Sequence, residues 1–297
     1  MIDLHIHSRD CSDGRMGLED IFNEAYHRGI KVISITDHDS IECQERAREL
    51  ADLHGMHYIT GVELNISFKF SELKPISLDI LGYQFDIYNQ ALRKKLEELR
   101  EYRKKRAEMI LERVNKELKK DGKEPFTHED MQKIEQKAEG ALGRPHIADY
   151  MIEKGIVKSR KEAFEKYLVK CNVPKMPLSL MEASSLIRGA GGKAILAHPN
   201  DLRGISLYSI TRSVEEQFKI IEENMLPYLD GIECWHSSHS PAITSEYLNF
   251  AKRHGLMVTG GSDCHQQPVI MGTVKIPLIV AEQFGIDLAK EVLECPH

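Results

Sequence analysis

Two histidines one residue apart, His5 and His7, sit inside the apolar opening run MIDLHIH of a 297-residue chain. On a β-strand, residues i and i+2 project to the same side, so the two imidazoles face one space together. His–x–His alone is a weak metal signal, and its weight comes from what stands at the ends of other apolar runs. His38 lies in TDHD directly after VISI, Glu63 closes the run ending GVE, and His198 lies in AILAHP. Asp263 and His265 repeat the i, i+2 spacing in GGSDCH. Burying such groups costs several kcal/mol unless they are paired or metal-bound, so a shared metal centre accounts for all these placements at once.

Something must carry these ends to one place. Short β-branched or apolar runs alternate with longer amphipathic stretches, the pattern of βα units. Strands are expected at 2–6, 31–36, 57–64, 77–83, 193–197, 231–234 and 257–260. Helices at 18–28 and 41–54 are each followed by a glycine, Gly29 and Gly55, where a left-handed C-cap is wanted. Candidate ligands gathered at the C-terminal ends of parallel strands favour a closed or nearly closed barrel of seven βα units over an open doubly wound sheet. From Asn89 to Pro177 the rhythm stops. Asn89 can cap a long helix striped by Leu92, Leu96, Leu99, Ile110, Val114 and Leu118, and shorter helices are expected at 127–138, 145–154 and 160–169. The expected organisation is an α/β barrel of residues 1–88 and 178–297, interrupted by an inserted helical subdomain, 89–177.

A net charge of −6 argues against a wholesale nucleic-acid coat. Residues 90–137 nevertheless hold 15 Lys and Arg against 11 Asp and Glu, or +4, leaving −10 elsewhere. Abundant i,i+4 pairing favours a solvated helix face, and a groove for a polyanion is the sharper alternative. Six cysteines (Cys11, Cys43, Cys171, Cys234, Cys264, Cys295) show no CxxC pair and read as reduced thiols of a cytoplasmic protein. No apolar run approaches the roughly 18 residues of a bilayer span. No obligate protein partner is evident.

In this order over most of the chain, HIH, SDG, TDHD, GVE, AHP and GGSDCH resemble the motifs of the polymerase and histidinol phosphatase (PHP) family of metal-dependent phosphoesterases. GRPHIADYMIEKGIVKSRKEAF and AGGKAILAHP are similar to its stand-alone nucleotide and oligonucleotide phosphatases. The resemblance implies a distorted (βα)7 TIM-like barrel with an inserted helical subdomain and two or three divalent ions (Mn, Fe or Zn). It assigns the first ion to His5, His7, Glu63 and Asp263, the second to Glu63, His198 and residue 79, and the third to Asp13, His38 and His265. Where relatives carry histidine in HILGY this chain reads LDILGY, so Asp79 would either offer a carboxylate and a site better suited to Mn²⁺ than Zn²⁺ or leave the second site weak or empty. His7 and Asp13 stand further apart than the family pattern, which leaves Asp10 as a substitute for Asp13.

Such ions would acidify a bridging water, present hydroxide to phosphorus and neutralise phosphoryl charge. Asp263 would ligate and also steer or deprotonate the nucleophile. Arg144 and His146 of GRPH would bind substrate phosphate, the arginine through its planar fork, with the insertion contributing to substrate binding. His239 would face the substrate phosphate or the leaving group and protonate it, Trp235 would stack on a base or pack in the core or rim, and His236 stays open. His27, His54, His57, His128, His254 and His297 read as structural. The expected reaction is hydrolysis of a phosphate monoester on a nucleotide, such as a 3′,5′-bisphosphonucleotide, or on a short 5′-phosphorylated oligonucleotide. Alternatives are a 5′-to-3′ exonuclease, an amidohydrolase, and a non-catalytic metal-stabilised binding module, the last disfavoured by the nearly complete ligand set.

Overall fold

The computed structural model describes residues 1–70, 75–137, 142–204, 206–265 and 269–288; Ala138, Cys295 and His297 lie outside them. The chain divides into two compact units, Met1–Lys94 with Pro177–His297, and Lys95–Met176.

In the first unit β1 (Ile2–Asp3), β2 (Val32–Ile33) and β3 (His57–Tyr58) form a parallel sheet in that order. A second sheet runs β4 (Gly61–Phe68), β5 (Ile76–Tyr83), β6 (Lys193–Leu196), β7 (Gly231–His236) and β8 (Met257–Gly261). Two features differ from the expected parallel barrel. The run 57–64 breaks at Ile59 and Thr60, where the chain leaves β2 and turns to β5, so the described residues hold eight strands rather than seven. Within the second sheet β4–β5 and β5–β6 are antiparallel, and β6–β7 and β7–β8 are parallel. The link from Phe68 to Ile76 is too short for the dozen or so residues that a parallel crossover needs.

The sheet edges meet through isolated parallel bridges, Ile6 with Cys264 and His38 with Glu63. Around them Leu4 N–H donates to Gly260 O at 3.2 Å, Asp263 N–H to His5 O at 2.8 Å and Asp39 N–H to Glu63 O at 2.8 Å. The described hydrogen bonding is therefore two sheets touching at their edges, without one continuous closed ladder. Gly261 makes one meeting possible. A Cβ there would lie 2.2 Å from His5 Cβ and 2.5 Å from its backbone nitrogen, so any side chain would drive β8 off the β1 segment.

Apolar strand residues fill the space inside: Ile2, Leu4, Val32, Leu81, Tyr83 and Ile195 pack with Val280 and Phe284. The Tyr83 hydroxyl donates across this space to Leu4 O at 2.7 Å. On the outside α1 (Leu18–His27) and α2 (Gln44–Leu53) bury Leu18, Ile21, Phe22, Ala47 and Leu50 against Ile33 and Ile35. These faces follow the helical period that the sequence displays. In the same cluster Cys11 and Cys43 are joined by a disulfide, which corrects the expectation of reduced thiols throughout. The two lie 32 residues apart on different loops, a pairing no local spacing reveals. Cys171, Cys234 and Cys264 are free and buried.

The second unit is helical. α3 (Gln90–Lys120) runs into it, followed by α4 (His128–Lys137), α5 (Arg144–Glu153) and α6 (Arg160–Ala163), which continues as a π-turn over Phe164–Leu168. Ile110, Val114 and Leu118 on α3 pack with Ile134, Ile147, Met151 and Tyr167 in a core of their own. Back in the first unit α7 (Leu180–Gly189), α8 (Val214–Asn224), α9 (Pro241–His254) and α10 (Ile279–Glu282) complete the helices. No helix among the described residues is long and apolar enough to cross a membrane.

Candidate metal centre

Each strand end delivers one or two polar side chains to the same space. His5 Nε2 and His7 Nε2 stand 3.1 Å apart. Glu63 brings Oε1 to 3.4 Å from His5 Nε2 and Oε2 to 3.3 Å from His7 Nε2. Asp263 Oδ1 lies 3.4 Å from His5 Nε2 and 3.3 Å from His7 Nε2. Cation–donor bonds of about 2.1 Å place neighbouring donors about 3–3.5 Å apart, so these four side chains already have the spacing of one coordination sphere.

Around this core lie two further groups. His198 Nε2 approaches Glu63 Oε1 at 3.0 Å and Asp79 Oδ2 at 4.0 Å. Asp79 sits opposite Asn65 in the β4–β5 ladder, on the face that carries Glu63, and its Oδ1 accepts from the Asn65 amide at 2.7 Å. On the other side His7, Asp13, His38 and His265 group together. Asp13 Oδ1 is 3.3 Å from His265 Nε2 and 4.0 Å from His38 Nε2, while His38 Nδ1 reaches Glu63 Oε2 at 3.0 Å. Asp10 is used elsewhere: its Oδ2 accepts the Leu18 N–H at 2.8 Å and caps α1, so Asp13 rather than Asp10 joins the group.

The electrostatics fit such a centre. Burial works to raise Glu63, yet His38 and His5 hold its carboxyl well below the ordinary range. Burial opposes charge on His198 too, but the Glu63 carboxylate raises the imidazole to about 9. His38, with burial dominant, falls to about 4. Protons thus stand in among the imidazoles where a cation would neutralise the carboxylates. His7 Nδ1, His198 Nδ1, His236 Nε2 and Asp263 Oδ1 are buried without a hydrogen bond, which a folded protein seldom tolerates unless a further group completes them. The donors therefore suit divalent cations. His198 and Asp263 also hold positive φ, 23° and 56°, strain of a kind that persists where side-chain aim matters.

Two residues beyond the expected set belong here. Glu233 is fully buried, accepts the His5 Nδ1–H at 3.0 Å on Oε1 and the His198 backbone N–H at 2.8 Å on Oε2. It fixes His5 with Nε2 turned toward the cluster, the usual carboxylate support of a metal-binding imidazole. His236 Nε2 stands 3.4 Å from Asp263 Oδ2 and groups with His5 and Asp263. A bulge between Glu233 and Trp235 turns His236, instead of Trp235, to the Glu233 side of β7. Trp235, partly buried, packs against the inner apolar cluster.

His239 Nδ1–H donates to Cys234 O at 3.0 Å, and burial lowers the imidazole to about 4. In the helical unit His146 Nδ1 accepts the Gly143 N–H at 3.1 Å and closes the first turn of α5. Arg144 lies over the Phe164 ring at 5.3 Å, with no carboxylate partner among the described residues. Arg106, which the sequence did not single out, donates to Val173 O at 2.6 Å and to Asn172 Oδ1 at 2.9 Å, and feels the Arg144 charge. His27, His54, His57, His128 and His254 stand outside the cluster.

The model of the PHP domain matches residues 3–167. A 3′,5′-nucleoside bisphosphate phosphatase of Chromobacterium violaceum is 30% identical over 270 residues, spanning 89% of this chain and 87% of that protein. The 5′-3′ exoribonuclease Rnm of Escherichia coli is 29% identical over 269 residues, 89% and 85% of the two chains. A crystal structure from Bifidobacterium adolescentis, described as a metal-dependent phosphoesterase, superposes with a TM-score of 0.75 at 26% identity over 97% of this chain and 98% of that one. One from Chromobacterium violaceum, described as an amidohydrolase with bound sulfate and no metal, gives 0.73 at 26% identity over 95% and 96%. With its strand-end ligand motifs assembled in one cluster, the chain belongs to the PHP domain family.

Proposed function

We propose that this member of the PHP family, a metal-dependent phosphoesterase, hydrolyses a terminal phosphate monoester of a nucleotide, such as a 3′,5′-bisphosphonucleotide, or of a short 5′-phosphorylated oligonucleotide. The carrying observation is the set of donors 3.0–3.4 Å apart around Glu63. His5, His7, Glu63 and Asp263 would hold one ion, Glu63, His198 and Asp79 a second, and Asp13, His38 and His265 a third; the oxygen share of the second favours Mn²⁺, with Fe or Zn as alternatives. When bound, such cations neutralise phosphoryl charge and acidify water. Asp263, with Oδ1 lacking a hydrogen bond, accepts a proton from the attacking water and steers it. Glu233 keeps His5 aimed. Arg144, unpartnered by any described carboxylate and beside Arg106, offers its fork to phosphate, so the helical unit contributes to substrate binding.

The same reading treats the two touching sheets as a distorted barrel whose closures are the bridges at Ile6 and His38. It places the enzyme in the cytoplasm, where nucleotide substrates are made. A 5′-to-3′ exonuclease is the second reading, supported by the basic residues 90–137 and by the exoribonuclease relatives. The test is to purify the protein, quantify Mn, Fe and Zn, and follow phosphate or nucleotide release from mononucleotides, bisphosphonucleotides and 5′-phosphorylated oligonucleotides. Phosphate release from bisphosphonucleotides supports the first reading, and processive nucleotide release the second. No product from any of them with metal-loaded protein, together with unchanged metal content in His5→Asn, refutes both.

A further inference from the structure

Two loops carry two of the four donors in the His7–Asp13–His38–His265 group. Asp13 lies in the loop between β1 and α1, and His38 in the loop between β2 and α2. The loops are tied by hydrogen bonds and one covalent bond. Ser8 donates from its backbone N–H and its hydroxyl to the Asp37 carboxylate, each at 2.7 Å. The Cys11 N–H donates to Ser8 Oγ at 3.2 Å, and the His38 N–H to Ser12 Oγ at 3.0 Å. Between them runs the Cys11–Cys43 disulfide, the one link here that chemistry can make or break without a change of sequence. Asp13 stands two residues from Cys11 and is the loosest donor: its side chain is 45% exposed, against 25% for His38 and 28% for His265. Its 4.0 Å separation from His38 Nε2 is wider than the spacings around Glu63, so this group depends most on where the two loops are held.

We propose that Cys11 and Cys43 form a reversible redox-modification site that sets the affinity of the Asp13, His38 and His265 donors for their cation. The proposal rests on the metal-centre reading above. In the oxidised state the S–S bond holds Asp13 beside His38 and His265. Reduction by a dithiol moves two electrons: one reductant sulfur attacks Cys11 or Cys43 and displaces the other. The second reductant sulfur then closes the reductant's own disulfide and frees the remaining cysteine. Each cysteine sulfur ends with one proton. Among the described residues the loops then keep hydrogen bonds alone, Ile6 with Thr36, Ser8 with Asp37 and Ser12 with His38, and binding a cation must also order Asp13. A small-molecule disulfide reverses the step. Cys11 and Cys43 are 9% and 7% exposed and lie next to exposed chain at Asp13 and Glu42, so a small opening of either loop admits a reagent.

The experiment uses the full chain, stripped of metal, treated with oxidised glutathione or with dithiothreitol, desalted under argon and titrated with Mn²⁺. Alkylation with peptide mass spectrometry reads the state of Cys11 and Cys43. The weakest Mn²⁺ equivalent should bind about tenfold more weakly after reduction, the scale on which supports of metal ligands act, with tighter equivalents unchanged. Cys43→Ser should reproduce the reduced titration and ignore dithiothreitol. Asp13→Asn should lose that same equivalent in both states, which identifies it. Cysteines that alkylate fully after glutathione disulfide treatment, or identical Mn²⁺ titrations in two verified redox states, overturn the proposal. Mn²⁺ binding and phosphate release alike in both states leave the phosphoesterase standing and remove the redox site. No Mn²⁺ binding in either state removes both.

Discussion

Replacing Glu233 by glutamine changes one atom type at a fully buried position and should disable His5 as a ligand. The carboxylate accepts twice, from His5 Nδ1–H at 3.0 Å and from the His198 N–H at 2.8 Å. A glutamine has one acceptor and one donor in those places. With its oxygen toward His5, its NH₂ meets the His198 N–H, donor against donor. With its NH₂ toward His5, the imidazole must accept at Nδ1 and carry its proton on Nε2, the nitrogen that faces His7, Glu63 and Asp263. Either arrangement costs about 1–3 kcal/mol as an unsatisfied buried donor or as a lost ligand. The expected result is a 10- to 100-fold weaker first Mn²⁺ equivalent, about 1.4–2.8 kcal/mol, with a parallel fall in phosphate release. Calorimetric titration of the metal-stripped wild type and Glu233→Gln measures it, with a circular dichroism melt to show that the variant folds. A folded variant that binds Mn²⁺ as tightly as wild type would refute the claim that Glu233 sets the His5 tautomer.

Other expectations follow from the same cluster. Stripped of metal, the protein should lose stability as pH rises from 6.5 to about 9, because His198 is raised over that window and the native state there holds a proton that the unfolded chain has released. At about 1.4 kcal/mol per pKa unit the loss is no more than about 3.5 kcal/mol. Melting temperatures across this range should fall without metal and hold or rise with Mn²⁺, since cations displace those protons; a flat metal-free profile would contradict the assignment. His236→Ala should weaken Mn²⁺ binding about tenfold or more, whereas His239→Ala should leave it unchanged, and the reverse order would mean that the β7 bulge has been misread. Arg144→Ala should raise KM for a bisphosphonucleotide about tenfold or more, as removal of a charge-assisted phosphate contact does, with Mn²⁺ affinity unaltered. Equal loss of both would show that Arg144 acts on the fold.

The sequence exposed the centre because its signals are local. An i, i+2 pair on a strand, a histidine directly after an apolar run and a glycine pair before an aspartate can each be read without knowing the partner strand. Whatever depends on two strands at once stayed hidden. Strict alternation along GIECWH puts Glu233 and Trp235 on one face and gives no hint that His236 joins Glu233; the extra residue of a bulge, a property of the β7–β8 register, decides it. The antiparallel turn of β4 onto β5 was obscured because the apolar run through Leu64 gives no sign of its change of partner at Ile59 and Thr60. The disulfide between Cys11 and Cys43 joins loops 32 residues apart that only the packing of α1 and α2 brings together. Asp79 shows the opposite balance. The family resemblance marks the departure from histidine, and the ladder shows where the substitute sits: opposite Asn65, whose amide binds Oδ1, with Oδ2 on the Glu63 face at 4.0 Å from His198 Nε2. A carboxylate with one oxygen fixed by the protein is a harder donor than an imidazole, and the proposed preference for Mn²⁺ rests on that difference.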